Sequence, residues 1–379
     1  MNLRLLRSLL VIMLLTLAGF NAKAQQTSDE MINLLISKKV ITQHEADSVR
    51  AVSTLKAQDE KTKQKKFNLT SGSIMTLNGY TQVRYQSLQE AGKFDGFDIR
   101  RARLDFKGTI TDKWEYRMQA EFANSVKMMD ATIAYKCSGY LKIMAGQTYI
   151  PFSLENLTGN TKLETIDRSQ VVEALTARTK DVIGNMNGRD IGIQFSGSFL
   201  KIKNRFLVDY ALGVFNGAGV NTPDNNEAKD FSARLLFHPI KGLDLGGSVY
   251  NGYDNWASGT PALANNQVRN RVGGEVAYTL KTLSLRGEYI YGQDGSINRS
   301  GYYAQTGYYF IPNKFQLVLK YDTYDADLRK ADNISTNYTC GLNWVFNDFT
   351  RIQANYTNRH EQGAQVNNDM IAVQLQIGF

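Results

Sequence analysis

Ten basic side chains fall on one parity of segments whose other parity is apolar: Arg84, Arg101, Arg103, Lys107, Arg117, Arg234, Arg271, Arg286, Lys320 and Arg351. Gathered on one wall, such groups lower the barrier for an entering anion, and each guanidinium offers paired donors to phosphate or carboxylate. The same parity carries Asp105, Glu115, Glu121, Asp209, Glu275, Glu288 and Asp322. Cross-strand pairing with these carboxylates is the commoner use of such charges, and both uses stay open at this point. Arg101 and Arg103, two apart in one segment, are the best candidates for a basic track. A second set lies within 149–189, where Lys162, Arg168, Arg178 and Lys180 stand against Glu155, Glu164, Asp167, Glu173 and Asp181. That balance is about one charge negative, so charge alone does not mark the stretch as an anion filter.

Other chemistries find no support. His44, His238 and His360 are far apart, and none has a metal-ligand neighbour at useful spacing. His238 beside Pro239 reads as turn structure, with no serine motif near it to complete a hydrolase triad. There is no nucleophile elbow, P-loop or dinucleotide fingerprint, and Asn216-Gly217-Ala218-Gly219 has no helical pattern after it. Cys137 and Cys340 fall on the apolar parity and read as packing, since an apolar surround dulls a thiol. No metal or organic cofactor is implied, and the chain is expected not to be an enzyme.

The elements that must carry the basic side chains are strands. From Leu77 to the last residue the hydrophobic period is two. Leu77, Gly79, Thr81, Val83 and Tyr85 alternate with Asn78, Tyr80, Gln82, Arg84 and Gln86, and Ala102, Leu104 and Phe106 alternate with Arg101, Arg103, Asp105 and Lys107. About sixteen such segments follow, each near the roughly 9 to 11 residues with which a tilted strand crosses a bilayer. The spans are 77–88, 98–110, 113–124, 129–137, 139–148, 190–199, 204–216, 230–238, 242–253, 269–280, 282–292, 300–311, 314–325, 334–346, 349–360 and 369–379. Tight turns alternate with longer polar loops, and aromatic residues such as Tyr85, Trp114, Tyr289, Trp344, Tyr356 and Phe379 stand near segment ends on the apolar parity. A soluble sandwich would need no such girdle; a transmembrane antiparallel β-barrel of about sixteen strands does. The 149–189 connection is too long for a hairpin, so it either extends outside or folds inward and narrows a pore.

Ahead of the barrel, residues 1–24 have the marks of a signal peptide: Arg4 and Arg7, an apolar run from Leu9 to Leu17, and Ala22-Lys23-Ala24 at the cleavage site. Residues 25–66 read as a helical periplasmic leader and linker, with capping-box spacings at Thr27/Glu30 and Thr42/Glu45 and then Lys61, Lys63, Lys65 and Lys66. The barrel would occupy 67–379. Composition agrees: 379 residues with 31 Gly, 20 Tyr, 5 Pro and 2 Cys suit a large sheet and exclude a disulfide framework. Without the charges of Arg4, Arg7 and Lys23, the formal +8 falls to +5, too mild to suggest nucleic acid.

One stretch carries a resemblance. Phe97-Asp98-Ile99-Arg100-Arg101-Ala102-Arg103-Leu104, Gly108-Thr109, Gln119-Ala120-Glu121-Phe122, Gly146-Gln147 leading into Pro151-Phe152-Ser153-Leu154-Glu155, Asp167-Arg168 and Gly188-Arg189-Asp190-Ile191-Gly192 are similar to the phosphate-selective porins O and P. The resemblance implies a sixteen-stranded, homotrimeric porin in the outer membrane of a Gram-negative bacterium. It also implies that the 149–189 connection is an inward-folded constriction loop, whose candidate residues are Lys162, Arg168, Arg178 and Lys180; parity in such a barrel makes Arg84, Arg101, Arg103, Lys107 and Arg117 the pore-lining candidates. The expected function is passive diffusion of small anions, phosphate or polyphosphate among them; the alternative is a weakly selective pore for small hydrophilic solutes such as sugars. The expected partners are outer-membrane lipid, further copies of the chain and small anions.

Overall fold

The computed structural model describes residues 38, 66–70, 73–90, 92–203, 205–254 and 267–379. The expected signal peptide and all but two residues of the leader, Lys38 and Lys66, lie outside these. The chain divides into one unit of residues 1–65 and a second of 66–379.

The second unit is a sheet. Its first strands are β1 (Lys66–Thr70), β2 (Ser73–Leu88), β3 (Gly96–Thr109), β4 (Trp114–Glu121), β5 (Lys127–Lys136), β6 (Lys142–Tyr149), β7 (Arg189–Ile202), β8 (Arg205–Phe215) and β9 (Asp230–Phe237). Then follow β10 (Leu243–Asp254), β11 (Gln267–Leu280), β12 (Leu283–Asp294), β13 (Ile297–Ile311), β14 (Phe315–Asp325), β15 (Ile334–Val345), β16 (Arg351–Glu361) and β17 (Met370–Gly378). Each strand from β2 to β17 overlies one expected span. Every one pairs antiparallel with the next, and β17 returns to β2 with Met370 opposite Leu88 and Gly378 opposite Tyr80, so sixteen strands close a barrel. Closure removes the free edges, the condition for a sheet to stand in lipid. Strand β1 was not expected. It pairs with Ser73–Thr76, where β2 runs on past the end of β17, and five residues are too few for a period to show.

Burial alternates along the strands in the sense lipid demands. In β14, Gln316, Val318 and Lys320 are buried inside while Leu317 and Leu319 are 41 and 48 % exposed. Ile99, Met118, Ile133, Ile193 and Leu342 are likewise exposed on the outer face, as are Cys137 and Cys340. A wall in water would reverse this pattern; in a bilayer the apolar face belongs outside. Aromatic rings gather toward both ends of the outer face, with Tyr302, Tyr321, Tyr338 and His360 in one row and Phe310, Phe315, Trp344 and Phe346 in another. Trp344 has the parity expected of it but is only 8 % exposed, because Phe315 and Phe346 cover its ring.

The register of β2 with β3 has one irregularity. Gln82 opposes Arg101 and Val83 opposes Ile99, so Arg100 is an extra residue in β3. A bulge of this kind re-aims a side chain and inverts the odd–even parity across it: Phe97 and Ile99 are exposed on the outer face, whereas Arg101 and Arg103 lie inside.

The segment joining β6 to β7 folds inward. It contains α1 (Leu154–Leu157), a short 3-10 turn (Asn160–Lys162) and α2 (Gln170–Leu175). Ile150, Phe152, Val171, Val172, Ala174 and Leu175 pack against Phe215, Tyr250, Ile290, Tyr303 and Tyr324 of the wall. Val171, Val172 and Leu175 are almost fully buried, and such side chains each stabilise by about 1.5–3 kcal/mol. An apolar core inside a polar-lined barrel is what holds this segment off the open side of the lumen.

Candidate functional site

The site is the gap between this inward segment and the wall made by β2, β3 and β14 to β17. Polar groups pin the segment to β12, β13 and β14. Glu164 accepts hydrogen bonds from Ser284 Oγ (2.7 Å), Gln305 Nε2 (2.6 Å) and Gln316 Nε2 (2.8 Å), and Glu155 pairs with Lys320 at 2.8 Å. The main-chain N–H groups of Leu154 and Glu155 donate to the two carboxyl oxygens of Glu288. The cavity is about 430 Å³, bordered by Arg84, Arg100, Arg101, Arg168, Arg178, Lys180 and Lys320 with Asp167, Glu173 and Asp322.

Of the wall candidates, most are paired. Arg84 donates to Asp98 through Nε (3.1 Å) and Nη2 (2.6 Å), Arg103 pairs with Glu121 at 2.7 Å, and Arg117 pairs with Asp105 at 2.8 Å and Asp130 at 3.2 Å. Arg101 differs: its Nη1 donates to Gln82 Oε1 at 2.8 Å, and no ion-pair partner stands beside it among the described residues. Lys107 faces a neighbouring cavity of about 590 Å³, together with Glu115, Arg117 and Lys142. Farther round, Arg234 pairs with Glu275 and Arg271 with Asp294, while Arg351 reaches only Gln376 Oε1 and the Asn160 carbonyl.

The loop candidates separate as sharply. Arg168 is turned into its own loop, where Nε, Nη1 and Nη2 donate to the Glu155 carbonyl, Asn160 Oδ1 and the Thr158 carbonyl at 2.7 to 3.0 Å. Arg178 donates to Asn156 Oδ1 and the Asn156 carbonyl. Burial, helped by the adjacent Arg168 charge, pushes Arg178 down to about 9, which leaves it cationic at neutral pH. Lys180 is exposed beside the cavity, and Lys162 is exposed outside it. Thus Arg101, Arg168 and Arg178 are guanidiniums bonded to neutral oxygens, and the neck holds positive charge that its carboxylates do not cancel.

Three participants escaped the alternation argument. Arg100 has the parity of the outer face, yet the bulge turns it inward, where Nη2 reaches Asp167 Oδ1 at 2.5 Å. Two consecutive arginines where parity admits one was the available signal. Asp167 had entered only the charge balance and the resemblance, with no role of its own. Arg189, 1 % exposed, donates to Asp130 at 2.8 Å and lies 3.6 Å over the Tyr149 ring. Tyr149 thereby sits among four guanidiniums, those of Arg189, Arg178, Arg168 and Arg103. Among the described residues no cluster of His, Cys, Asp and Glu could hold a metal ion.

A family model described as phosphate-selective porin O and P matches residues 76–249 and 246–379. Among solved structures, the fold is similar to the anion-selective porin from Comamonas acidovorans (14 % identity, TM-score 0.60, 81 % of this chain and 100 % of that one). It is also similar to the outer membrane channel DcaP of Acinetobacter baumannii (12 %, 0.56, 83 % and 99 %) and to the trimer form of OmpT from Vibrio cholerae (11 %, 0.58, 81 % and 100 %). At these identities the likeness is one of fold. No curated protein matches the sequence.

Proposed function

The chain belongs to the phosphate-selective porin O and P family, and on that premise we propose that this outer-membrane porin passes small anions, phosphate or polyphosphate among them, by passive diffusion past the basic neck. The observation that carries the reading is that Arg101, Arg168 and Arg178 border the gap with no carboxylate paired to them. In a narrow, low-dielectric passage such groups favour anions over cations, while the paired arginines hold the wall in shape. Reversal potentials in potassium chloride gradients across planar bilayers, with phosphate titrated into the bath, test it. The reading expects anion preference and a saturating block by phosphate; equal permeability to potassium and chloride would refute it.

A second reading, a weakly selective pore for small hydrophilic solutes such as sugars, draws support from the amides and hydroxyls of Asn185, Asn187, Asn337, Thr339, Asn355 and Thr357 around the same cavity. Liposome swelling with neutral oligosaccharides tests it. We further propose a homotrimer, the form named for the Vibrio cholerae relative, with residues 25–66 as a periplasmic leader following a cleaved signal peptide. Deleting 25–66 and finding the same oligomer on native gels would separate the leader from assembly.

A further inference from the structure

The inward segment offers the wall arginines an anion of its own. Asp167 Oδ1 stands 2.5 Å from Arg100 Nη2 and 3.7 Å from Arg84 Nη1, and its side chain is 40 % exposed toward the cavity. Arg100 is bonded to nothing else among the described residues, and its Nη1 is buried without a hydrogen-bond partner. A guanidinium with one donor on a tethered carboxylate and another unused is a seat built for an oxyanion with two or more oxygens.

The main chain here is held independently of that carboxylate. The Asp167 carbonyl accepts from Thr165 Oγ1 at 2.8 Å and Lys320 Nζ at 3.4 Å, and the Ile166 N–H donates to Asn355 Oδ1 at 2.6 Å. The side chain can therefore rotate off Arg100 while the segment stays in place. We propose that Asp167 is a tethered competitor for the solute: its carboxylate occupies the seat made by Arg84 and Arg100, and a permeating oxyanion enters by displacing it. The consequence is weak binding and quick release at a point where an unopposed Arg100, beside an Arg84 that keeps its bonds to Asp98, would hold the solute.

This rests on the anion-channel reading, and the experiment separates the two. Block of chloride current by inorganic phosphate and, separately, by acetate is measured in planar bilayers for the wild type, Asp167→Asn, Asp167→Glu and the double variant Asp167→Asn with Arg100→Gln. Half-block of Asp167→Asn is expected at about threefold lower concentration, the scale of a partly exposed ion pair. Asp167→Glu should behave as the wild type, and the double variant should lose the gain. A gain with phosphate alone would assign the seat to phosphate, and with both to oxyanions in general. Unchanged block in Asp167→Asn, or a gain that survives Arg100→Gln, overturns the competitor. Absence of anion preference in every variant overturns the channel reading with it. If Asp167→Asn does not fold, Asp167→Ser removes the same charge and is read in the same way.

Discussion

Arg101 and Arg103 look alike in the sequence and do different work. Arg103 is nearly buried and ion-paired with Glu121, so Arg103→Gln strands a buried carboxylate and should cost about 3 kcal/mol of stability, seen as easier urea unfolding of the refolded barrel. Arg101 is held only by Gln82, so Arg101→Gln should leave stability within about 1 kcal/mol and instead lower the ratio of chloride to potassium permeability. Asp167 adds a pH dependence. Burial by itself would raise its pKa, but Arg100, then Arg84 and Arg101, outweigh this and hold it below the ordinary carboxylate range. Its stabilising contribution is complete above about pH 3.9 and is lost as the pH falls through its lower folded value. Over that acid window the Arg100 charge is freed, so anion preference should rise; a reversal potential that stays flat as the pH is lowered from about 4 to about 2 would contradict this. Residue types were readable in advance, but partners were not, because pairing depends on register and on which way a loop turns.

At the scale of elements, the sixteen spans were legible to within a few residues because lipid outside and charge inside impose a strict period of two. That rule fails where the backbone is irregular. It left Arg100 out of the inward-facing set, missed β1, and had no hold on the 150–188 segment, where Arg168 turned out to serve the loop while Asp167 faces the wall. Arg168→Met would leave the Glu155 and Thr158 carbonyls and Asn160 Oδ1 without their donor, at about 1 kcal/mol or more each. The segment should then loosen, and single-channel conductance should rise and become noisier with the strands intact by circular dichroism. Glu164→Ala, which removes the acceptor shared by Ser284, Gln305 and Gln316, should admit larger oligosaccharides in liposome swelling.

For the whole molecule, the critical event is closure of the ring. Gly79 and Phe379 exchange backbone hydrogen bonds of 3.2 and 2.9 Å, and the Phe379 ring lies 2.5 Å from where a Cβ on residue 79 would stand. Gly79→Val must displace that ring at the β17–β2 seam. The expected result is a smaller heat-modifiable, folded fraction on gels after refolding into lipid, with normal channels from the molecules that do close. The alternation and the aromatic girdle showed in the sequence that a barrel forms, whereas the inward turn of the 150–188 segment rests on an apolar core that only the folded segment reveals.

The extra residue in β3 has a genetic corollary. Without Arg100 the ladder would be regular, with Gln82 still opposite Arg101, Val83 opposite Ile99 and Arg84 opposite Asp98. A one-codon deletion there would trim a charge from the neck yet spare the strand's inside-outside order, whereas the same deletion a few residues away would flip that order. Length variation at this single position is therefore a route by which descendants of this gene can retune the charge of the passage without rebuilding the wall.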